Sequence, residues 1–182
     1  MYPFVRQLKE MVRAQLMGPM DLFDTHVTHT LCWPWDLDGW GELNNGRSLT
    51  LYDLGRFPLF IRTGIGRAAL RNRWGLTMAG AAAMWRRRVR IFDRIDIHSR
   101  LIGWDHRFFY IEQCMWLPGR KAAASSVIYR SACTDRNGIV APRRVLDFLG
   151  HDRPSPPLPA WVRSWTEAEA QRPWPPFCAA DG

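Results

Sequence analysis

Lysine is nearly missing from this chain of 182 residues: Lys9 and Lys121 are the only two among its 25 basic residues. The rest are arginine, whose planar fork suits phosphate, carboxylate and aromatic partners better than an ammonium does. Paired cysteines are missing too. Cys32, Cys114, Cys133 and Cys178 lie far apart, with no C-x-x-C and no Cys/His cluster at metal-ligand spacing. That excludes a zinc ribbon and a disulfide framework and points to free thiols in a reducing cytoplasm. No run approaches the ~20 apolar residues of a membrane span. The start, Met1-Tyr2-Pro3-Phe4-Val5-Arg6, lacks the uninterrupted apolar stretch of a signal peptide, so a cytoplasmic location is expected.

What is present is ample apolar material. Hydrophobic residues make up 47% and aromatics 13%, which excludes a disordered chain and supports one domain with a real core. Seventeen acidic residues leave a net charge of +8. A nucleic acid, an anionic membrane and a phosphorylated small molecule all remain open as partners.

Residues 4–17 place Phe4, Leu8, Met11, Val12, Gln15 and Leu16 at helical spacing, stopped by Gly18-Pro19. This amphipathic helix fits packing on its own domain or a partner subunit, or lying on a membrane surface. Residues 25–35 read as a strand closed by Pro34, on which His26 and His29 point to opposite faces. Residues 36–47 read as a loop. Leu49 to Ile61 carry the period of an apolar helix ended by Gly64-Ile65-Gly66, with Pro58 expected to kink it near Leu54.

Four strand-like runs follow, over 75–86, 88–103, 106–117 and 121–134. In the second, Val89, Ile91, Ile95, Ile97 and Leu101 alternate with Arg88, Arg90, Arg94, His98 and Arg100, the pattern of a strand with one wet face. Asp105 reads as a turn former and Glu112 as a strand partner of an arginine. Asp135-Arg136-Asn137-Gly138 ends the meander, and a short helix runs from Pro142 to Leu149. The pattern is α+β, one antiparallel sheet of about five strands on one central helix. Residues 1–150 form the domain. Residues 151–182 hold seven of the 13 prolines and three tryptophans, with Trp161 and Trp165 on a short helix from Pro159. This extension is expected to pack on the domain or its dimer partner.

The informative loop is Trp33-Pro34-Trp35-Asp36-Leu37-Asp38-Gly39-Trp40-Gly41-Glu42-Leu43-Asn44-Asn45-Gly46-Arg47. It joins a strand to a helix, where unpaired N–H groups favour developing negative charge. Asp36, Asp38 and Glu42 crowd it, and any of them suits a nucleophile or general base. The same residues also suit turns at Asp36 and Asp38 and a helix cap at Asn44 or Asn45.

D-L-D-x-x-x-x-x-N-N-G-R resembles the hotdog-fold acyl-CoA thioesterases of the thioesterase-like, 4-hydroxybenzoyl-CoA thioesterase-related family. Gly103-Trp104-Asp105-His106-Arg107-Phe108-Phe109-Tyr110-Ile111-Glu112-Gln113 is similar to that family's second motif. The resemblance covers about residues 25–150. It implies a long helix wrapped by an antiparallel sheet, a homodimer or dimer of dimers, and hydrolysis of an acyl-CoA or acyl-carrier thioester. It implies no cofactor beyond the coenzyme A of the substrate. The lack of a Cys/His cluster argues against a metal, and arginines that alternate along strands suit a solvated face rather than a nucleic-acid groove. Asp36 takes the place of the catalytic carboxylate. Leu43 or Asn44 offers the N–H that polarises the thioester, and Asn45 holds the loop. Glu42 stands where relatives carry His, and Ser48 where they carry Tyr. A buried Glu42 beside Asp36 would have its pKa raised by the like charge.

Asp38, Ser48 and Arg56 join Leu43 as candidate substrate contacts. Arg62, Arg120 and the run Trp85-Arg86-Arg87-Arg88-Val89-Arg90 are compatible with phosphate groups or with a solvated face. The alternative within the same fold is an acyl-thioester binder without turnover.

Overall fold

A computed structural model describes residues 2–174, so Pro175, Pro176 and Cys178 lie outside the described residues. The elements are α1 (Phe4–Met17), β1 (His26–Leu31), α2 (Asn45–Arg62), α3 (Ile65–Asn72), β2 (Gly75–Trp85), β3 (Arg94–Trp104), β4 (Phe109–Leu117), β5 (Ala122–Asp135), β6 (Gly138–Val140), α4 (Pro142–Leu149) and α5 (Ala160–Ala170). The strands form one antiparallel sheet in the order β1-β3-β4-β5-β2, with β6 added on β5.

Strand alternation sends two sets of side chains to two faces. Ile95, Ile97, Leu101, Phe109, Ile111 and Met115 face α2, whose Leu51, Leu54 and Leu59 are buried against them. The helix sits so close that a Cβ on Gly55 would overlap Ser99 Oγ and come within 2.9 Å of Ile97 Cγ2. On the opposite face Tyr110, Ile128 and Ala132 form a second cluster with Val162 of α5. The described part of the C-terminal extension therefore covers the back of the sheet. Trp165 packs there, whereas Trp161 faces solvent. Gly103 lets the extension approach, because Ser155 Oγ lies 2.8 Å from where its Cβ would stand, and that hydroxyl accepts from Trp104 N–H.

Pro58 removes the N–H that would bond the Leu54 carbonyl. The Thr28 hydroxyl supplies the missing donor at 3.0 Å, and α2 runs on unbroken. Thr28 has one proton to give, so His26 Nε2, 3.0 Å from the same hydroxyl, must be the donor there. His26 Nδ1 then accepts from Arg62 at 3.1 Å. Burial, with the Arg62 charge second, lowers the His26 pKa to about 4, so the ring is neutral. His29 points outward to Asp96, as the strand spacing predicts.

Several expectations are corrected. The second run does not begin at residue 88. Asp93 accepts from Arg90 N–H, and Phe92 turns with φ 61°, so β3 starts at Arg94 and Ile91 is exposed. Asn-Asn-Gly-Arg is not loop: α2 begins at Asn45 with Asn44 as its cap. α3 and the short β6 are additional elements among the described residues, while the sheet of about five strands stands as expected, with β6 paired on β5. In α1 the face turned to the domain is Gln7, Glu10 and Ala14, while Phe4, Leu8, Val12 and Leu16 are exposed. The two marked residues of the second motif behave as read. Asp105 caps the turn through Arg107 and Phe108 N–H, and Glu112 pairs with Arg100 across the strands.

Candidate active site

The loop between β1 and α2 folds back on itself. Leu37 pairs with Leu43, Asp38 N–H donates to Glu42 O at 2.8 Å, and Asp38 Oδ1 accepts from Trp40 and Glu42 N–H. Asp38 is thus a turn former. The loop is then zipped to the 89–90 segment, where Glu42 bridges Arg90 and Leu43 N–H donates to Val89 O at 2.9 Å. This closure puts the three carboxylates in different surroundings.

Asp36 is fully buried and accepts four hydrogen bonds. Arg6 of α1 binds it with both Nη atoms at 2.7 and 2.9 Å, Arg47 Nε at 2.6 Å and Trp33 N–H at 3.0 Å. Burial alone would raise its carboxyl pKa. The bonds from Arg6, the Trp33 N–H and Arg47 outweigh that and hold it below the usual carboxylate range. Asp36 anchors α1, the loop and the first turn of α2 to one another. It flanks a 410 Å³ cleft shared with Tyr2, Trp35 and Asn44.

Glu42 opens to the other side. It is about a quarter exposed, pairs with Arg88 at 3.0 Å, and lines a 240 Å³ cleft with Leu43, Asn45, Trp85, Arg86, Arg87, Arg88, Val89 and Ser125. The structure does not set a buried Glu42 beside Asp36; the two belong to separate clefts.

A helix leaves its first four N–H groups without an internal partner. In α2 the Asn44 side chain accepts from Arg47 N–H at 2.9 Å, and the Asn44 carbonyl accepts from Ser48 N–H at 2.8 Å. Leu43 N–H is spent on Val89, and Asn44 N–H on the Asp36 carbonyl at 3.0 Å. Neither therefore offers the free donor expected of it. The leading amides of Asn45 and Gly46 have no partner among the described residues and stand at the positive end of an 18-residue helix.

Ser48 is buried behind this cleft: it donates to Asn45 O at 2.6 Å and accepts from Trp85 Nε1 at 2.9 Å. It positions a wall rather than touching the space. Ser125, at the cleft, is backed by the Tyr52 hydroxyl at 2.9 Å. Arg56 stands about 16 Å further along the helix at 1.5 Å per residue. It is buried, bonded to Asp53 and Gln113 and stacked on Tyr129, so it ties helix to sheet and does not face this cleft.

Trp85 and Ser125 are the residues that sequence reasoning passed over as site candidates. Ser125 carried no signal, and Trp85 was visible only as the aromatic next to an arginine run. A larger cleft of 600 Å³ opens between α1 and β1, but its acids are already paired, Glu10 with Lys9 and Asp96 with His29. No cluster of three metal-ligating side chains occurs among the described residues.

A family model described as the thioesterase-like superfamily matches residues 32–166. The chain belongs to the thioesterase-like superfamily. Protein THEM6 of Xenopus laevis is 32% identical over 111 residues, covering 60% of this chain and 54% of that protein. Protein THEM6 of Danio rerio is 25% identical over 149 residues, 80% of this chain and 71% of that one. The matched segment thus spans about half the length of the Xenopus protein. Among solved structures, the probable thioesterase YbaW of Escherichia coli superposes with a TM-score of 0.63 at 16% identity, covering 68% of this chain and 96% of that one. The DHNA-CoA thioesterase of Staphylococcus aureus gives 0.59 at 11% identity, covering 80% and 91%. A Streptococcus mutans protein crystallised with acetyl CoA gives 0.51 at 11% identity, covering 67% and 86%. These likenesses carry the fold: this thioesterase-like chain is an α+β hotdog, its curled antiparallel sheet wrapped on α2.

Proposed function

We propose that the chain hydrolyses acyl thioesters of coenzyme A in the cleft between Glu42 and the N-terminus of α2. The observation that carries this reading is one shared space: a carboxylate, two unspent helix amides and three arginines line it or adjoin it. The acetyl CoA bound to the Streptococcus mutans neighbour supports a thioester of that kind as ligand. Glu42 takes a proton from water, and the oxygen attacks the thioester carbon. The oxyanion forms against Asn45 and Gly46 N–H, where the helix end stabilises it. Collapse breaks the C–S bond, and the thiolate leaves with the proton held by Glu42, giving a free acid and a thiol. Arg86 and Arg87 suit bidentate pairing with the carrier's phosphates.

The reading extends to two copies. β2 is an edge strand of the sheet and runs directly into Trp85 and the arginines of the cleft. Pairing of β2 with its twin would cover that edge and close the cleft at the seam, as a homodimer or a dimer of dimers. One observation favours a second reading, acyl-thioester binding without turnover: Asp36, the carboxylate expected to act, is committed to four donors.

A panel of acyl-CoAs of varied length and shape, followed by thiol release, separates the two readings. Hydrolysis that falls ~10²–10⁴-fold in Glu42→Gln supports the first. Tight binding with no thiol released supports the second. Hydrolysis undiminished in Glu42→Gln removes Glu42 from the reaction.

A further inference from the structure

α1 is assembled opposite to an ordinary surface helix. At 3.6 residues per turn, Met11, Phe4, Leu8, Val12, Val5 and Leu16 fall within one arc of about 140°. A soluble domain normally turns such an arc inward. Here Phe4, Val5, Leu8 and Leu16 are each at least 63% exposed, and the domain receives Gln7, Glu10 and Ala14 instead. Singly exposed apolar residues are commonplace, but six on one arc of a helix, interrupted only by the uncharged Gln15, mark a surface that something covers.

The charges say what kind of surface. Lys9 and Arg13 follow Leu16 around the helix and stand exposed at the edge of the arc. Both reach for the same carboxylate, Glu10, which is buried on the domain side and is the only acid in the helix. The solvent side of α1 is therefore apolar and cationic, with no exposed acid to oppose an anionic layer. The N-terminal end continues into aromatic surface, because Tyr2 shares a cleft with Trp35, which is 67% exposed. Arg6 fixes that join through its bidentate hold on Asp36. A helix with an apolar arc, basic margin and flanking aromatics lies flat in a lipid headgroup region. No helix among the described residues is long and apolar enough to cross a membrane, which is consistent with lying on one. A second copy suits the face less well, since a two-fold contact through this arc would bring Lys9 and Arg13 toward their twins in chains that each carry +8.

We propose that α1 docks the protein on an anionic lipid surface through Phe4, Leu8, Val12 and Leu16, with Lys9 and Arg13 at the headgroups. The test is co-sedimentation of the full chain with phosphatidylcholine vesicles, with and without one quarter phosphatidylglycerol. Binding is expected on the anionic vesicles, weaker on the neutral ones and weakened by added salt. Leu8→Gln with Leu16→Gln should cut it at least tenfold, and Lys9→Gln with Arg13→Gln severalfold. Leu8 and Leu16 are exposed and bond nothing, so the melt of the leucine variant should match the parent. The Lys9/Arg13 variant leaves the buried Glu10 without its two cations, should melt lower, and is compared at a temperature where it is folded. Failure to sediment with anionic vesicles would overturn the proposal, as would unchanged binding by the leucine double variant. A dimer that the leucine variant converts to monomer, without vesicle binding in the parent, would assign the face to a second copy and overturn it as well.

Discussion

Two carboxylates six residues apart in one loop have opposite fates. Asp36 is closed in by four donors from α1, its own turn and α2. Glu42 keeps one surface partner, Arg88, and faces a cleft. The difference arises from the backbone. Asp36 Oδ2 bonds back to Trp33 N–H in a short 3-10 turn, while Glu42 is carried outward by the Leu37–Leu43 pairing and the bridge to Arg90. A buried, saturated carboxylate contributes to the fold, whereas a half-open one beside unspent amides is available for chemistry. The loop therefore divides its work between its two sides.

The strongest way to break this contrast is to remove the closed side. Asp36→Ala removes the buried carboxylate that Arg6 and Arg47 both bind, and a loss of about 3–5 kcal/mol is expected in denaturant unfolding. Glu42→Ala should cost far less, since its ion pair with Arg88 is exposed.

Acid sharpens the same contrast. His26 titrates near 6.5 when unfolded and at about 4 in the fold. The unfolded chain binds the extra proton between those values, so this stability is whole above pH 6.5 and lost as pH falls toward 4. The His26 contribution is about 3 kcal/mol, and Asp36, whose pKa is also lowered, adds to the acid loss at still lower pH. Unfolding midpoints measured from pH 7.5 to 4 should fall, and His26→Gln should flatten the upper part of that curve.

A milder test leaves both sides of the loop untouched. Gly55→Ala forces a methyl against Ser99 and Ile97, with an expected cost of about 1–3 kcal/mol. Turnover per folded molecule should stay at the parent value, because neither cleft is altered. The smallest effect belongs to the rim. Arg87→Ala should raise KM for acyl-CoA severalfold, leave kcat alone, and lose its effect in high salt.

The contrast also shows what a sequence can reveal. Local signals were legible: α1 is bounded by Gly18, β1 ends before Pro34, and Asp105 builds its turn from the next three residues. The D-L-D to N-N-G-R loop marked the region of the site. Partners distant in sequence were not legible. Arg6 lies 30 residues before Asp36, so nothing in the loop's spacing announced that this carboxylate would be closed. The spent amides of Leu43 and Asn44 depend on Val89 and on the fold-back of the loop. The periodicity of α1 was real, but a period gives two faces and does not say which one meets the domain. Asn-Asn-Gly-Arg looked like loop because Asn and Gly punctuate turns, whereas here they cap and open a helix.

The central claim, that chemistry belongs to the Glu42 side and anchoring to the Asp36 side, is met most directly by one paired measurement. Glu42→Gln and Asp36→Asn are compared for acyl-CoA hydrolysis and for melting temperature in the same buffer. Glu42→Gln should lose hydrolysis by ~10²-fold or more with its melting temperature kept. Asp36→Asn should lose several degrees while retaining turnover per folded molecule. A Glu42→Gln protein that still turns over, beside a stable Asp36→Asn protein that does not, would contradict the account.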